Sequence, residues 1–218
     1  PTVYFGKNAF KGLRRLGFEA LRVGDAVNFS MGLEGGLSCR GAYAVRTADE
    51  MPEKESGFDA QVARPYYKAV VAWYEKIGIG VTGGEMYDLI QNIIPKERFG
   101  WVLNPGHHIA FEEWLTSSIA PNSPAKFASG MLVQMDIIPS VAPFVSPNVE
   151  DGICIADDEL QHKIRTLYPD VWDRFMKRRA YMENALGIHL KKEILPMSNL
   201  CARYSPYLLN PDIAYVAE

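Results

Sequence analysis

The feature that most constrains the fold is a pair of alternating stretches in the first quarter of the chain. Residues 26–32 and 38–47 alternate apolar with small or polar side chains, and Glu34-Gly35-Gly36 lies between them. Alternation with a period of two is typical of a half-buried strand, and a glycine pair favours a tight hairpin turn. The sequence therefore predicts a β-hairpin.

Helical and strand signals follow the hairpin in separate blocks. Apolar residues at helical spacing predict a helix over 59–77, and Thr82 with Glu85 forms a capping box that predicts a second helix through Ile93. Two helical pieces are predicted within 158–186, with Pro169 in a first turn and Gly187 as a C-terminal cap. Short strands are predicted at 101–102, 109–111, 131–138 and 152–156. This order of strands and helices predicts an α+β fold.

Composition narrows the classes of function. The 218 residues include 23 basic and 26 acidic side chains, and a net charge of −3 argues against a nucleic-acid partner. No apolar run reaches the roughly 18 residues of a membrane span, and the first residues lack the apolar core of a signal peptide. Cys39, Cys154 and Cys201 lie far apart, which favours reduced thiols and a cytoplasmic location over a disulfide framework or a zinc motif.

The densest cluster of chemically active side chains lies at residues 104–114. It holds His107, His108, Glu112 and Glu113 within a few residues of each other. Histidines beside acids could be metal ligands, a general base or a simple hydrogen-bonded pair. Neighbouring side chains of a strand face opposite ways, so at most one of the two histidines can belong to a single site.

Four segments, taken in order, resemble the pita-bread metallopeptidase superfamily, which includes methionine aminopeptidase, aminopeptidase P, prolidase and creatinase. The entry to the family's ligand-bearing hairpin resembles Leu21-Arg-Val-Gly24-Asp25-Ala-Val27, and its inter-helix turn resembles Ile79-Gly-Val-Thr-Gly-Gly-Glu-Met86. Its G-H-x-x-G segment resembles Gly106-His107, and its G-M-x-x-x-x-E-P strand resembles Gly130-Met131-Leu-Val-Gln-Met-Asp136.

The resemblance covers about residues 20–157 and implies a curved antiparallel sheet flanked by helices. We expect residues 1–157 to form a pita-bread domain of the catalytic type whose N-terminal part is missing. Residues 158–218 are expected to form a helical and irregular C-terminal extension packed on the same domain. Relatives often pair, so the resemblance also implies a homodimer.

The resemblance implies a two-metal site that this chain does not complete. Active members hold two divalent cations through two hairpin aspartates, one histidine and two glutamates. The aspartates map to Ser30 and to the neighbourhood of Gly41, where Arg40 would repel a cation, and the histidine maps to His107. The first glutamate maps to Asp136, the second maps to Ala156 with Asp157 one residue on, and a second histidine maps to Trp114. We therefore expect no metal cofactor; if one were bound, His107, Asp136 and Asp157 would be its ligands.

Creatinase resembles the peptidases but works without metal, with a histidine as the acid–base group. This precedent implies a pocket in which His107 and Asp136 are catalytic and in which a ligand is bound by Ser30, Arg40, Glu113 and Trp114. The leading hypothesis is a creatinase- or aminopeptidase P-like protein without a dinuclear metal site, which binds or hydrolyses a small amide or peptide-like ligand. The alternatives are an active Xaa-Pro metalloaminopeptidase using manganese, cobalt or zinc, and a non-catalytic structural or interaction protein.

Three further patterns suggest less specific roles. Cys39 or Cys154 paired with His107 could form a thiol nucleophile, but a lone cysteine in a strand is more often a small buried hydrophobe. Ser30 with His107 lacks the G-x-S-x-G context of a serine nucleophile. The basic run Lys177-Arg178-Arg179 is interpreted as the solvated face of a helix.

Overall fold

A computed structural model describes residues 2–10, 20–33, 36–109 and 116–217. Its strands form one antiparallel sheet in the order β1-β2-β3-β6-β5-β4, and β7 pairs with β6. The strands are β1 Thr2–Phe5, β2 Ala26–Leu33, β3 Gly36–Tyr43, β4 His107–His108, β5 Leu132–Asp136, β6 Glu150–Ile155 and β7 Ile194–Pro196.

The helices fall in two groups, as predicted from the sequence. They are α1 Arg64–Lys76, α2 Gly83–Ile93, α3 Lys96–Phe99, α4 Asp158–Leu167 and α5 Pro169–Asn184, and a π-helical turn at Asp59–Ala63 leads into α1. The capping box is confirmed, because the Glu85 backbone N–H donates to Thr82 Oγ1 over 3.1 Å and the Thr82 N–H donates to Glu85 Oε2 over 2.8 Å. In the described part of the chain, no helix combines the length and apolar character that a membrane crossing requires.

The hairpin is confirmed, and its register places Ser30 opposite Cys39. The four strands predicted after the hairpin all differ from the structure in their limits. The strand predicted at 131–138 is β5, Leu132–Asp136, and the one predicted at 109–111 is replaced by β4 at His107–His108, with 110–111 outside the described residues. Residues 101–102 form no strand, because Trp101 is buried in the core and its ring N–H donates to the Ile94 carbonyl at the end of α2. Strand β6 begins at Glu150, before the predicted start at Gly152.

Helix α1 holds the segments that lead into β4 and β6. Its Trp73 is fully buried, and the ring N–H donates to the Pro105 carbonyl over 2.8 Å, just before β4. Its Tyr66 is also fully buried, and the hydroxyl accepts a hydrogen bond of 2.8 Å from the Val149 backbone N–H, just before β6. These two buried hydrogen bonds hold the starts of β4 and β6 against the same helix.

The C-terminal segment, residues 200–209, supports β3 and the residues that follow it. The Leu208 N–H donates to the Tyr43 carbonyl over 2.9 Å, and the Tyr204 hydroxyl donates to the Gly41 carbonyl over 2.9 Å. The Arg40 guanidinium donates to the carbonyls of Leu200 and Arg203. The hairpin and the end of the chain therefore form one packed unit.

Candidate functional site

A cavity of about 610 Å³ lies between the β2–β3 hairpin and the segment 138–148. Most of its lining is apolar, with residues 138–144 forming one wall. Polar and ionisable side chains reach it from six strands: Tyr4, Asn28, Ser30, Cys39, His107, Asp136 and Glu150. Its volume falls within the roughly 300–1,000 Å³ usual for small-molecule sites.

Three charged side chains converge at this cavity. The Nε2 atom of His107 lies 3.7 Å from Asp136 Oδ2 and 3.6 Å from Glu150 Oε1. The three residues come from β4, β5 and β6, and Asp136 and Glu150 are direct partners across the sheet. Each of them is at most 5% exposed. We refer to His107, Asp136 and Glu150 as the buried triad.

The hydrogen bonding of His107 shows how its ring is oriented. Its Nδ1 atom lies 3.0 Å from the His108 carbonyl, which can only accept, so Nδ1 carries a hydrogen. Nε2 then faces two carboxylates, an arrangement that favours a second proton. Burial lowers the pKa of His107, but Asp136 and Glu150 outweigh burial and raise it to about 10. The ring is therefore an imidazolium at neutral pH, whereas a general acid–base group works best with a pKa near the working pH.

The neighbouring histidine does not share the site. The His108 ring lies 2.7 Å from the Ser118 hydroxyl through Nε2, on the other side of the strand from the buried triad. This confirms the prediction, made from strand alternation, that His107 and His108 face different surroundings. Burial lowers the pKa of His108, in the opposite direction to the change at His107.

Two more side chains stand at the wall of this pocket: Glu150, which the sequence did not single out, and Cys39, which it suggested only as a thiol nucleophile paired with His107. Glu150 accepts a 2.6 Å hydrogen bond from Gln134 Nε2, which fixes its carboxylate. Burial, followed by the negative charge of Glu150, raises the pKa of the Cys39 thiol well above its ordinary value. The thiol is therefore neutral, which disfavours a nucleophilic role.

The second glutamate position of the family pattern was mapped to Ala156, but in the structure the second carboxylate beside His107 is that of Glu150. Ala156 lies in a separate apolar cluster with Cys154, Phe175 and Leu195. Asp157 is exposed and caps α4, where its Oδ1 accepts from the Leu160 N–H over 2.9 Å. The signal that sequence reasoning missed is the acidic pair Glu150-Asp151, which belongs to β6 and does not precede it.

The predicted ligand-binding residues lie in different places. Ser30 lines the cavity and hydrogen-bonds to the Thr2 hydroxyl. Arg40 does not line the cavity; its Nη2 forms an ion pair of 2.6 Å with the fully buried Asp151. Glu113 and Trp114 lie outside the described residues.

The buried triad supplies donors for one divalent cation and too few for two. Its imidazole nitrogen and two carboxylate oxygens lie within 4.8 Å of one another. A two-metal centre needs further carboxylates from the hairpin, and the hairpin lines the cavity with the uncharged side chains of Asn28, Ser30, Leu37 and Cys39. At Gly41 a Cβ atom would stand 1.8 Å from the Ser146 carbonyl oxygen, so no side chain fits there. Within the described residues, a dinuclear metal centre does not fit.

Neither protein-family models nor curated protein sequences give a match to this chain. Solved structures do: prolidase from Thermococcus sibiricus (TM-score 0.55, 21% identity, 72% of this chain and 42% of that one) and Xaa-Pro dipeptidase from Bacillus anthracis (0.57, 20%, 72% and 44%). An Asp271Ala aminopeptidase P from Escherichia coli also matches (0.50, 14%, 71% and 41%). The chain thus spans less than half the length of these proteins. Its antiparallel sheet with flanking helices has the α+β pita-bread fold of prolidases and aminopeptidase P.

Proposed function

We propose that this protein binds a small amide or peptide-like ligand in the cavity around His107, and acts on it without a dinuclear metal centre. The observation that carries the proposal is the buried triad, which places an imidazolium and two carboxylates at the wall of a largely apolar cavity. Perturbed pKa values cluster at functional sites, so a buried group with a raised pKa at the wall of a cavity is a candidate for such a site.

The triad offers complementary chemistry toward an amide. The imidazolium of His107 is a cationic hydrogen-bond donor that would stabilise charge developing on an amide oxygen or leaving nitrogen. Asp136 or Glu150 would accept a proton from an attacking water molecule. The role of His107 is thus that of an acid and electrostatic group, and the base is a carboxylate.

The remaining lining indicates the size and character of the ligand. Val141, Pro143 and Phe144 give an apolar wall facing the hairpin, while Asn28 and Ser30 give polar side chains on the hairpin itself. A ligand with a short apolar side chain and one amide group would match both surfaces. Dipeptides and N-acetyl amino-acid amides are therefore suitable probes.

The proposal is tested by titrating these probes calorimetrically into chelator-treated protein. His107→Gln should abolish saturable binding and any hydrolysis, and His162→Gln, on the exposed face of α4, should change neither. Probes that bind both variants as tightly as they bind the parent protein would contradict the proposal.

A second candidate is a hydrolase that uses one divalent cation, because the buried triad could hold a single ion. Elemental analysis of the purified protein, followed by titration with manganese, cobalt and zinc, separates the candidates. No bound cation supports the metal-free pocket, and one per chain supports the second candidate. Two per chain would contradict both, and would support the active Xaa-Pro metalloaminopeptidase.

A purely structural or interaction role is less well supported. A role of that kind needs no open pocket, whereas the structure has a cavity of about 610 Å³, and Arg40 pairs with Asp151 and does not fill it. We further propose a homodimer, which the resemblance to the pita-bread proteins implies, and a cytoplasmic location, which the unpaired and buried Cys39, Cys154 and Cys201 favour. Light scattering of the purified chain tests the dimer, and localisation of a tagged full-length protein tests the compartment.

A further inference from the structure

A second pocket, of about 280 Å³, lies between α5 and the loop that follows β7. Arg174, Lys177, Arg178 and Tyr181 line it from α5, and Asn199 and Leu200 line it from the loop. The four helical positions follow the spacing i, i+3, i+4 and i+7, which places them on one face. We propose that this basic pocket binds a phosphate-type oxyanion.

The three cations of the pocket are not neutralised by the protein. Among the described residues, none of them forms an ion pair, although Asp170 and Asp173 precede them on the same helix. The next residue along the helix behaves differently, since Arg179 pairs with Glu183 over 2.7 Å. Like charges spaced three and four residues apart destabilise a helix, so the cluster carries an unfavourable interaction that a bound anion would relieve.

Arg178 is already held in place. Its Nε donates to Asn199 Oδ1 over 3.0 Å, and its side chain is half-buried against the loop. Burial, followed by the charge of Arg174, lowers the pKa of Arg178. A second hydrogen bond, of 3.5 Å from Nη1 to the Pro196 carbonyl, holds the same guanidinium, which still keeps other N–H groups for a ligand. This preorganisation reduces the entropic cost of binding.

The donors define the chemical class of the ligand. Two guanidinium groups and one ammonium group around a small pocket match an anion with several equivalent oxygens, as in phosphate or sulfate. The ring of Tyr181 and the 55% exposed side chain of Leu200 extend the pocket with apolar surface. A phosphate monoester with a small organic group would therefore use the pocket more fully than the free ion does.

The test is calorimetric titration of the full chain with inorganic phosphate, inorganic sulfate and phenyl phosphate, each at constant ionic strength in chloride. We expect saturable binding with one anion per chain. The double variant Arg174→Gln/Lys177→Gln should weaken it by about tenfold or more, as expected for the loss of a hydrogen bond to a charged group. Neither side chain makes a hydrogen bond within the described residues, so the double variant should fold.

The control is Lys68→Gln, which removes one positive charge from the exposed face of α1 and is compared with each of the single variants Arg174→Gln and Lys177→Gln. It should leave the affinity unchanged. Equal weakening by Lys68→Gln would show non-specific attraction to net charge and would overturn the proposal, as would no saturable binding of any of the three anions. Tighter binding of phenyl phosphate than of inorganic phosphate would identify an organic monoester as the preferred source of the oxyanion.

Discussion

Asp136 and Glu150 stand directly opposite each other on β5 and β6, and both carboxylates face Nε2 of His107. Two carboxylates in directly opposed positions of a sheet repel each other. A proton on His107 offsets that repulsion, so the charge state of each group depends on the other two. The buried triad behaves as one electrostatic unit.

Removing one of the two carboxylates should therefore lower the pKa of His107. Glu150→Gln is expected to lower the pKa of His107 from about 10 toward its ordinary value of 6.5, because burial then opposes the charged ring with only Asp136 to stabilise it. Titration of the ring by long-range nitrogen–proton NMR measures the change. Asp157→Asn, an equivalent loss of charge at the exposed cap of α4, should leave the ring unaffected. A His107 pKa that stayed near 10 in Glu150→Gln would contradict the triad.

The same interaction predicts how stability varies with pH. The pKa of His107 is raised in the folded protein, so its stabilising contribution is fully present below pH 6.5 and is lost as pH rises through about 10. Urea unfolding at steps across this range should show a smaller loss of unfolding free energy for His107→Gln than for the parent protein. Parallel curves for the two proteins would mean that His107 does not carry the effect.

Adding two acids to the hairpin should create a cation site. Ser30 and Cys39 are direct partners on β2 and β3, and both line the cavity near the triad. The double variant Ser30→Asp/Cys39→Asp would supply five donors, so we expect it to bind more manganese or cobalt than the parent protein and to be stabilised by the cation. Met31→Asp, on the exposed face of β2, is the control. Cation titration with thermal unfolding measures both effects, and equal binding by parent and double variant would refute the prediction.

A substitution of Arg40 distinguishes a structural role of this side chain from a ligand-binding role. Arg40→Met leaves the fully buried Asp151 without its ion-pair partner, which should cost about 3–5 kcal/mol of unfolding free energy. Binding of amide probes by the folded variant should be unchanged, because Arg40 does not line the cavity. Loss of probe binding with intact stability would instead favour the ligand-binding role that the sequence suggested.

The capping box on α2 predicts a smaller, local effect. Thr82→Ala removes the acceptor of the Glu85 N–H and should destabilise the protein by about 0.5–2 kcal/mol. Thr47 offers a matched control, because it precedes a 3₁₀ turn without capping it through its side chain. Chemical unfolding should therefore show a much smaller change for Thr47→Ala, and similar losses in the two variants would argue against a role for the cap.

Local signals were enough to predict the hairpin, the capping box of α2 and the first-turn position of Pro169. Each depends on residues that are close in sequence, so neighbouring side chains determine the outcome. The Arg40–Asp151 pair joins residues separated by 111 positions, and no local pattern could reveal it. Arg40 was therefore expected to bind a ligand in the pocket, whereas in the structure it pairs with Asp151 and does not line the cavity.

The residues of the site also divide into those with a local sequence signal and those without one. His107 and Asp136 were found through motifs that include their neighbours, whereas Glu150 depended on where β6 begins. All six residues of β6 are buried, so an alternation of apolar and polar side chains could not mark its start. The hairpin register determines which residue of β3 lies opposite Ser30, and the length of the turn sets that register. That residue is Cys39, two positions before Gly41, to which the family's second aspartate was mapped.

The contact between residues 200–209 and β3 has a consequence for the cavity, which none of those residues lines. Arg40 donates hydrogen bonds to two carbonyls of that segment and also to the carbonyl of Cys39. The Cys39 side chain forms part of the cavity wall. Residues 200–209 also bond to Gly41 and Tyr43 through Tyr204 and Leu208, so their removal would take support from the strand that carries Cys39. Trimming or tagging this segment is therefore expected to loosen one wall of the cavity, whereas the loss of Arg40 alone leaves those other hydrogen bonds in place.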